Sequence, residues 1–325
     1  MSEIITSGNC IDFCGWGRRD ATTMRERIVE AQRMADDVAS KFAKPFFIAG
    51  QKESGAGKNI RLDLAVNSIT DSSIRIDPQL LGDCVAAAMT RTLVMRLCGA
   101  ILNDVFEEYH WLFSPFHYAT GRVLVGKNQL RGGDGSVGGW QAEAVALFGM
   151  ISEGVAGIEY TKALGQAWGD DRKYQGKSFR DYMEQAKFQK VLQWARTTGW
   201  NETRDALYHG YPLHICSNTG YTMKPTSSGF HMPSGTWPHA MTIYAFWENV
   251  KVPCIAILNS WGDVHGRVKD PLTGELLPPG TLLVPIAEFV QRHLRGAECI
   301  AISSTDGFDA NVQWSRLGGV KSQTA

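Results

Sequence analysis

At Gly82-Asp83-Cys84-Val85-Ala86-Ala87-Ala88-Met89 a loop turns into a long apolar helix, and the transition sets one thiol on the helix's first turn. Pro78 and Gly82 discourage helix before it, and Asp83 is a favoured N-cap residue whose carboxylate can accept hydrogen bonds from the following backbone amides. Between Cys84 and about Asp104 only Gly99 disfavours helix. Val85, Ala88, Met89, Leu93, Leu97, Ala100 and Ile101 cover more than one face, so the spacing predicts a helix buried on most sides. Its positive end then faces the loop, where unpaired amides favour thiolate and lower the pKa of Cys84. A charged Asp83 cap opposes this by about 1 kcal/mol for unit charges about 4 Å apart in water. A reactive Cys84 therefore needs a cationic partner, most simply a histidine.

The chain has 325 residues, 44% of them hydrophobic, which suffices for one large domain with an extension or for two small ones. Its 33 basic and 33 acidic residues cancel, and no Lys/Arg cluster has the footprint of a nucleic-acid or anionic-membrane surface. The start, Met-Ser-Glu-Ile-Ile-Thr-Ser-Gly-Asn-Cys, lacks the basic and apolar regions of a signal peptide. No run reads as the roughly 18 apolar residues of a membrane span. The expected location is the cytoplasm. Seven cysteines, at 10, 14, 84, 98, 216, 254 and 299, show no metal-ligand spacing, so reduced thiols fit and neither a metal nor a cofactor is expected. Gly55-Ala56-Gly57-Lys58 falls short of a Walker loop, lacking both the earlier glycine and the following Ser or Thr.

The organisation expected is an N-terminal extension over 1–70, a folded domain over 71–304 and a polar tail over 305–325. Asp20 to Thr23 offer caps for a helix from about 22 to 43 with Met24, Ile28, Ala31, Ala35, Val38 and Phe42 on one stripe. Residues 51–60 read as polar loop. Gly132-Gly133-Asp134-Gly135-Ser136-Val137-Gly138-Gly139 is a glycine-rich wall that lets another backbone approach. Helices follow at 141–149, about 178–198 and 201–209. From Tyr211 the texture changes to short apolar runs at 212–216, 239–247, 252–258, 281–284 and 299–303, separated by turn residues, the pattern of antiparallel strands. Residues 286–294 suit a short helix. The fold class expected is α+β, helical to about residue 200 and sheet-rich after it.

Three pieces stand with Cys84. Gly210-Tyr211-Pro212 opens one strand, Trp237-Pro238-His239-Ala240 opens another, and Asn259-Ser260-Trp261-Gly262 ends a third. The order Cys, His, Asn, with Cys84 on a helix start and His239 and Asn259 on neighbouring strands, resembles the papain-like cysteine peptidases over about 225 residues. The NSWG piece is the most specific; the glycine loop up to Trp140, Ser114-Pro115-Phe116 and Gly210-Tyr211-Pro212 agree with it. Ser136 stands where the family usually has a disulfide cysteine, Val85 replaces an aromatic residue, His265 replaces a tryptophan, and Gln79 lies one residue nearer Cys84 than the family's oxyanion glutamine.

The resemblance implies a two-lobe fold, a helical left lobe and an antiparallel right lobe, with Cys84 and His239 facing across a cleft. It implies a thiol peptide hydrolase working through an acyl-enzyme: Cys84 attacks, His239 shuttles the proton, Asn259 orients His239, and Gln79 with the Cys84 amide holds the oxyanion. Gly138, Gly139, Trp140, Pro238, Ala240 and Trp261 would line the cleft for a peptide or protein substrate. The competing expectation is the same fold used as an assembly subunit, for instance of a virion, with partners bound through the extension and tail. The family commonly guards its cleft with an N-terminal helical pro-segment, and here the helix at 22–43 followed by a chain at 51–60 that crosses the cleft has that order. The reading preferred from sequence is a permanent clamp, so that a chain starting near residue 71 is expected to be poorly soluble.

Overall fold

The computed structural model describes residues 9–17, 22–43, 46, 53–77, 79–103, 109–188 and 190–303. The tail expected at 305–325 lies outside them. Thr23 opens α1 (Met24–Phe42): its backbone is extended, at φ −134°, and its hydroxyl accepts the Glu26 amide at 3.2 Å. Of the predicted stripe, Ala31, Ala35 and Val38 are buried together with Arg27 and Met34, while Phe42 at its end is exposed.

Of the stretch 51–60, the described residues 53–60 do not cross the cleft. They lead into β1 (Asn59–Arg61), whose residues pair antiparallel with Trp247, Phe246 and Ala245. Such a strand is too short for a period-two signal. α2 (Asp63–Thr70) follows, and Leu62, Ala65 and Val66 join the main hydrophobic core. Arg61 lies 2.6 Å from Asp63 and 3.2 Å from Asp270, all three nearly free of solvent. The boundary expected at residue 70 thus carries no break in packing.

α3 (Cys84–Ile101) is the buried helix anticipated, laid against the strands Leu213–Tyr221 and Pro233–Trp247. Its 18 residues have a mean hydropathy of 1.4, enough by length and composition to cross a membrane, contrary to the sequence scan. Arg91 and Arg96 interrupt the run, and 83% of the helix is buried inside the protein, as a core helix should be. α4 (Ser114–Ala119), with Pro115 in its first turn, and α5 (Gly138–Phe148) complete the wall of the helical lobe near Cys84. A helix over 178–198 does not form. A 3₁₀ turn, Phe179–Tyr182, and a short helix, Met183–Ala186, stop it, and Trp194–Arg196 becomes β2. There tertiary pairing with Ile300 to Ile302 overrides local propensity.

The other strands are β3 (Leu213–Tyr221), β4 (Pro233–Trp247), β5 (Cys254–Leu258), β6 (Thr281–Pro285) and β7 (Glu298–Ile302). Each overlaps one of the apolar runs predicted to be a strand. They form one antiparallel sheet in the order β2-β7-β3-β4-β5-β6, with β1 taking the edge of β4 beyond the end of β3. The fold is α+β, mainly helical before the sheet, and the register of β4 against β5 is what builds the site.

Candidate active site

Cys84 begins α3, His239 lies on β4 and Asn259 directly follows β5. Antiparallel pairing of Thr242 with Leu258 brings His239 beside Asn259. His239 Nε2 is 2.8 Å from Asn259 Oδ1, and the Ser260 amide donates to the same oxygen at 2.7 Å. A backbone N–H needs an acceptor, so the oxygen of Asn259 faces His239 and the proton sits on Nε2. Nδ1 is left bare, buried and without a hydrogen-bond partner, as a general base requires. The Trp261 ring covers His239 at 4.5 Å between centroids. All three residues are ones that the sequence reading names for the site.

What it missed is the chain lying over the thiol. The Gly15 amide donates to Cys84 Sγ at 3.1 Å, the Trp16 amide to the Pro238 carbonyl at 3.0 Å and the Gly17 amide to the Ser136 carbonyl at 2.8 Å, while the Ser136 amide donates back to the Gly15 carbonyl at 2.7 Å. Trp16 thus makes a single parallel β-bridge with Ser136 of the glycine loop, and residues 15–17 lie extended along it like a strand. Gln79 turns its Nε2 to the carbonyls of Phe13 and Leu81, and its Oε1 accepts from Ser260 Oγ at 3.1 Å. From α1, Arg27 holds the Cys14 carbonyl. Trp16 is buried in one cluster with Ala31, Cys84, Val85, Ala88, Cys216 and Ala240.

Two glycines make the close approach possible. A Cβ on Gly15 would lie 1.8 Å from the Gly82 carbonyl oxygen, and one on Gly135, at φ +110°, would lie 1.8 Å from that of Gly17. Neither position tolerates a side chain without the backbones separating.

The thiol is not activated in this closed form. Burial pushes Cys84 up to about 12, outweighing the backbone donors at Ala240 and Gly15 that favour thiolate. Burial likewise drives His239 down to about 3, despite the hydrogen bond to Asn259. Both partners are neutral, and no hydrogen bond joins them. The lowered thiol pKa expected from the helix end does not materialise because a partial helix-end charge is worth about 1 kcal/mol while full desolvation of a thiolate costs several. Asp83 caps by position only. Its side chain makes no cap hydrogen bond and instead accepts from the Tyr160 hydroxyl, and burial raises its pKa to about 7.

The expected lining residues fare differently. Ala240 touches the Cys84 cluster, Pro238 receives the blocking strand, and Trp261 shields His239. Gly138 and Gly139 point their amides at the buried carboxylate of Glu298, at 2.9 and 2.6 Å, which fixes the start of α5. Trp140 belongs to the main core, its ring packed where Gly126 has no side chain, so it braces the wall from behind. Glu298 had one sequence signal: an acid opening an otherwise apolar strand, Cys299 to Ile302.

Solved structures with this fold are papain-like cysteine proteases. Xylellain, a cysteine protease from Xylella fastidiosa, superposes with a TM-score of 0.55 at 15% identity, over 90% of this chain and 97% of its own. ProCathepsin B S9 from Trypanosoma congolense gives 0.54 at 12% identity over 92% and 98%, and procathepsin L2 from the Tenebrio molitor larval midgut 0.51 at 13% over 93% and 81%. No family model matches the sequence, and no curated protein matches it in sequence. The fold is therefore the papain-like one, reached by a sequence far diverged from these examples.

Proposed function

We propose that the chain is a papain-like cysteine peptidase kept closed by its own residues 13–17. The observation that carries this is the oriented pair of His239 and Asn259 under Trp261, with the bare Nδ1 of His239 on the neighbour of Ala240, whose own amide meets the Cys84 thiol. Once the strand at 15–17 leaves, His239 takes the proton of Cys84 and the sulfur attacks a substrate carbonyl carbon. Gln79 Nε2, which meets a carbonyl oxygen even in the closed form, donates to the oxyanion. His239 then protonates the leaving amine, and water cleaves the thioester to return the thiol.

The extension divides its labour on this reading. β1 and α2 are permanent parts of the fold, whereas residues 13–17, anchored by α1 through Arg27, are the removable cover. Two of the similar structures, proCathepsin B and procathepsin L2, are by name precursor forms, which suits a covered cleft. A buried neutral thiol is also what an assembly subunit with no turnover would show. Hydrolysis of a fluorogenic peptide separates the two. The wild-type chain is expected to be nearly silent and Gly15→Val, which forces the strand off Gly82, to be active. If Gly15→Val frees Cys84 for alkylation yet cleaves none of a broad peptide library, the peptidase reading fails and the subunit reading stands.

A further inference from the structure

Asn259 can orient His239 only if the amide itself cannot turn over. Its oxygen end takes two N–H groups, from His239 and from Ser260. Its nitrogen end faces His265, with Asn259 Nδ2 2.9 Å from His265 Nε2. An NH₂ group only donates, so His265 Nε2 must be unprotonated and accept. His265 is fully buried, its ring stacked at 23° on Trp261, the same indole that covers His239, and flanked by Trp237 and His231. The backbone anchors it too, since His231 Nε2 lies 3.2 Å from the His265 carbonyl oxygen. The tryptophan that the resemblance would place here could offer no acceptor, because an indole N–H only donates.

Resting on the peptidase reading, we propose that His265 is a positioning residue of the site: accepting from Asn259 Nδ2, it keeps the Asn259 oxygen on His239, and on gaining a proton it loses that acceptor and frees Asn259 to turn. A turned Asn259 presents an NH₂ to His239 Nε2. That nitrogen must then be bare, the ring proton moves to Nδ1, and the base for Cys84 is gone. The groups facing His265 from other elements are His231, His239, Lys224 and the Thr222 backbone; Asp263 and Arg267 neighbour it along the chain. Burial first, then the cationic forms of His231, His239 and Lys224, oppose its protonation, which holds the site in the working arrangement at neutral pH.

The test reads histidine tautomers by ¹⁵N NMR in the full-length closed chain, so it needs no turnover. Wild type at pH 7 should show His239 protonated on Nε2 and His265 on Nδ1. His265→Phe, which keeps bulk and removes the acceptor, should convert His239 to a mixture of tautomers, and His265→Gln, whose side-chain oxygen can accept, should restore the single form. In the Gly15→Val background, His265→Phe should lower kcat by about tenfold or more with little change in KM, and His265→Gln should recover most of it. A purely structural role would instead move the melting temperature and leave the tautomer alone. If His265→Phe unfolds the chain, His265→Leu, closer to histidine in volume and equally without an acceptor, takes its place, and the same mixture of His239 tautomers is expected at pH 7. A His239 that stays singly protonated on Nε2 in whichever of His265→Phe and His265→Leu folds overturns the proposal. A correct tautomer pattern in a chain that cleaves no peptide counts against the peptidase reading alone.

Discussion

Cys84→Ala in the Gly15→Val chain is expected to remove peptide hydrolysis, a loss on the order of 10,000-fold or more, since no other group can form the acyl intermediate. His239→Ala should do nearly the same, because a neutral thiol without a base is a poor nucleophile and the leaving amine has no proton donor. Asn259→Ala should leave a measurable remainder, because that residue only fixes the ring through one oxygen, 2.8 Å from Nε2. Combining any two of these should cost little more than the worse of the pair, as for residues acting as a unit. The rates are measured with melting curves alongside. Full activity in Cys84→Ala would place the nucleophile elsewhere.

Acid should open the molecule. Burial lowers the pKa of His239, His265 and His293 to about 3 and of His117 and His214 to about 4, and it lowers that of His231 as well. A depressed folded-state pKa contributes stability above the unfolded value near 6.5 that is lost as pH falls toward the folded one. At pH 5 each of the five lowered to about 3 or 4 costs on the order of 2 kcal/mol. Asp63, Asp83 and Glu298, raised by burial, work the other way, because their stabilisation is fully present at low pH and fades as pH rises. Six histidines against three carboxyls leave a net loss comparable with the roughly 5–15 kcal/mol that hold a domain folded. Melting temperature should therefore fall steeply between pH 6.5 and 4, with a loss of tertiary signal near pH 5. His117, whose two ring nitrogens have no partner, is the cleanest probe: His117→Leu should shift the transition to lower pH. A melting temperature constant down to pH 4 would contradict the burial of these histidines.

Cys84, His239 and Asn259 were legible because the Cys-helix start and NSWG are local strings whose chemistry is tied to order along the chain. The five apolar runs after Tyr211 were legible as strands by composition, and the stripe of α1 by its period. Glycine-flanked Trp16 was not, since the strand at 15–17 has three residues, pairs with a loop at Ser136, and owes its place to a missing Cβ at Gly15 and at Gly135. Short β1 and β2 were lost for the same reason: their partners are distant and their length carries no period. The sign of the Cys84 shift was misjudged because a helix terminus is visible in sequence, whereas the depth at which Trp16, Ala31 and Cys216 bury the thiol is not. The acceptor that His265 offers to Asn259 depends on a ring nitrogen 2.9 Å away and could not be read from a substitution alone.

On the proposed reading, the Cys84 thiol is neutral while residues 13–17 cover it and becomes an imidazole-paired thiolate when they leave. The pH dependence of Cys84 alkylation, followed by mass spectrometry on the intact chain from pH 5.5 to 10, tests this directly. In wild type the rate should be low and rise only at the alkaline end, as befits a thiol pushed up to about 12. In Gly15→Val it should be fast, with a plateau reaching below pH 7 that disappears when His239→Ala is added. A Gly15→Val chain whose Cys84 still reacts only at the alkaline end, with or without His239, would contradict the account.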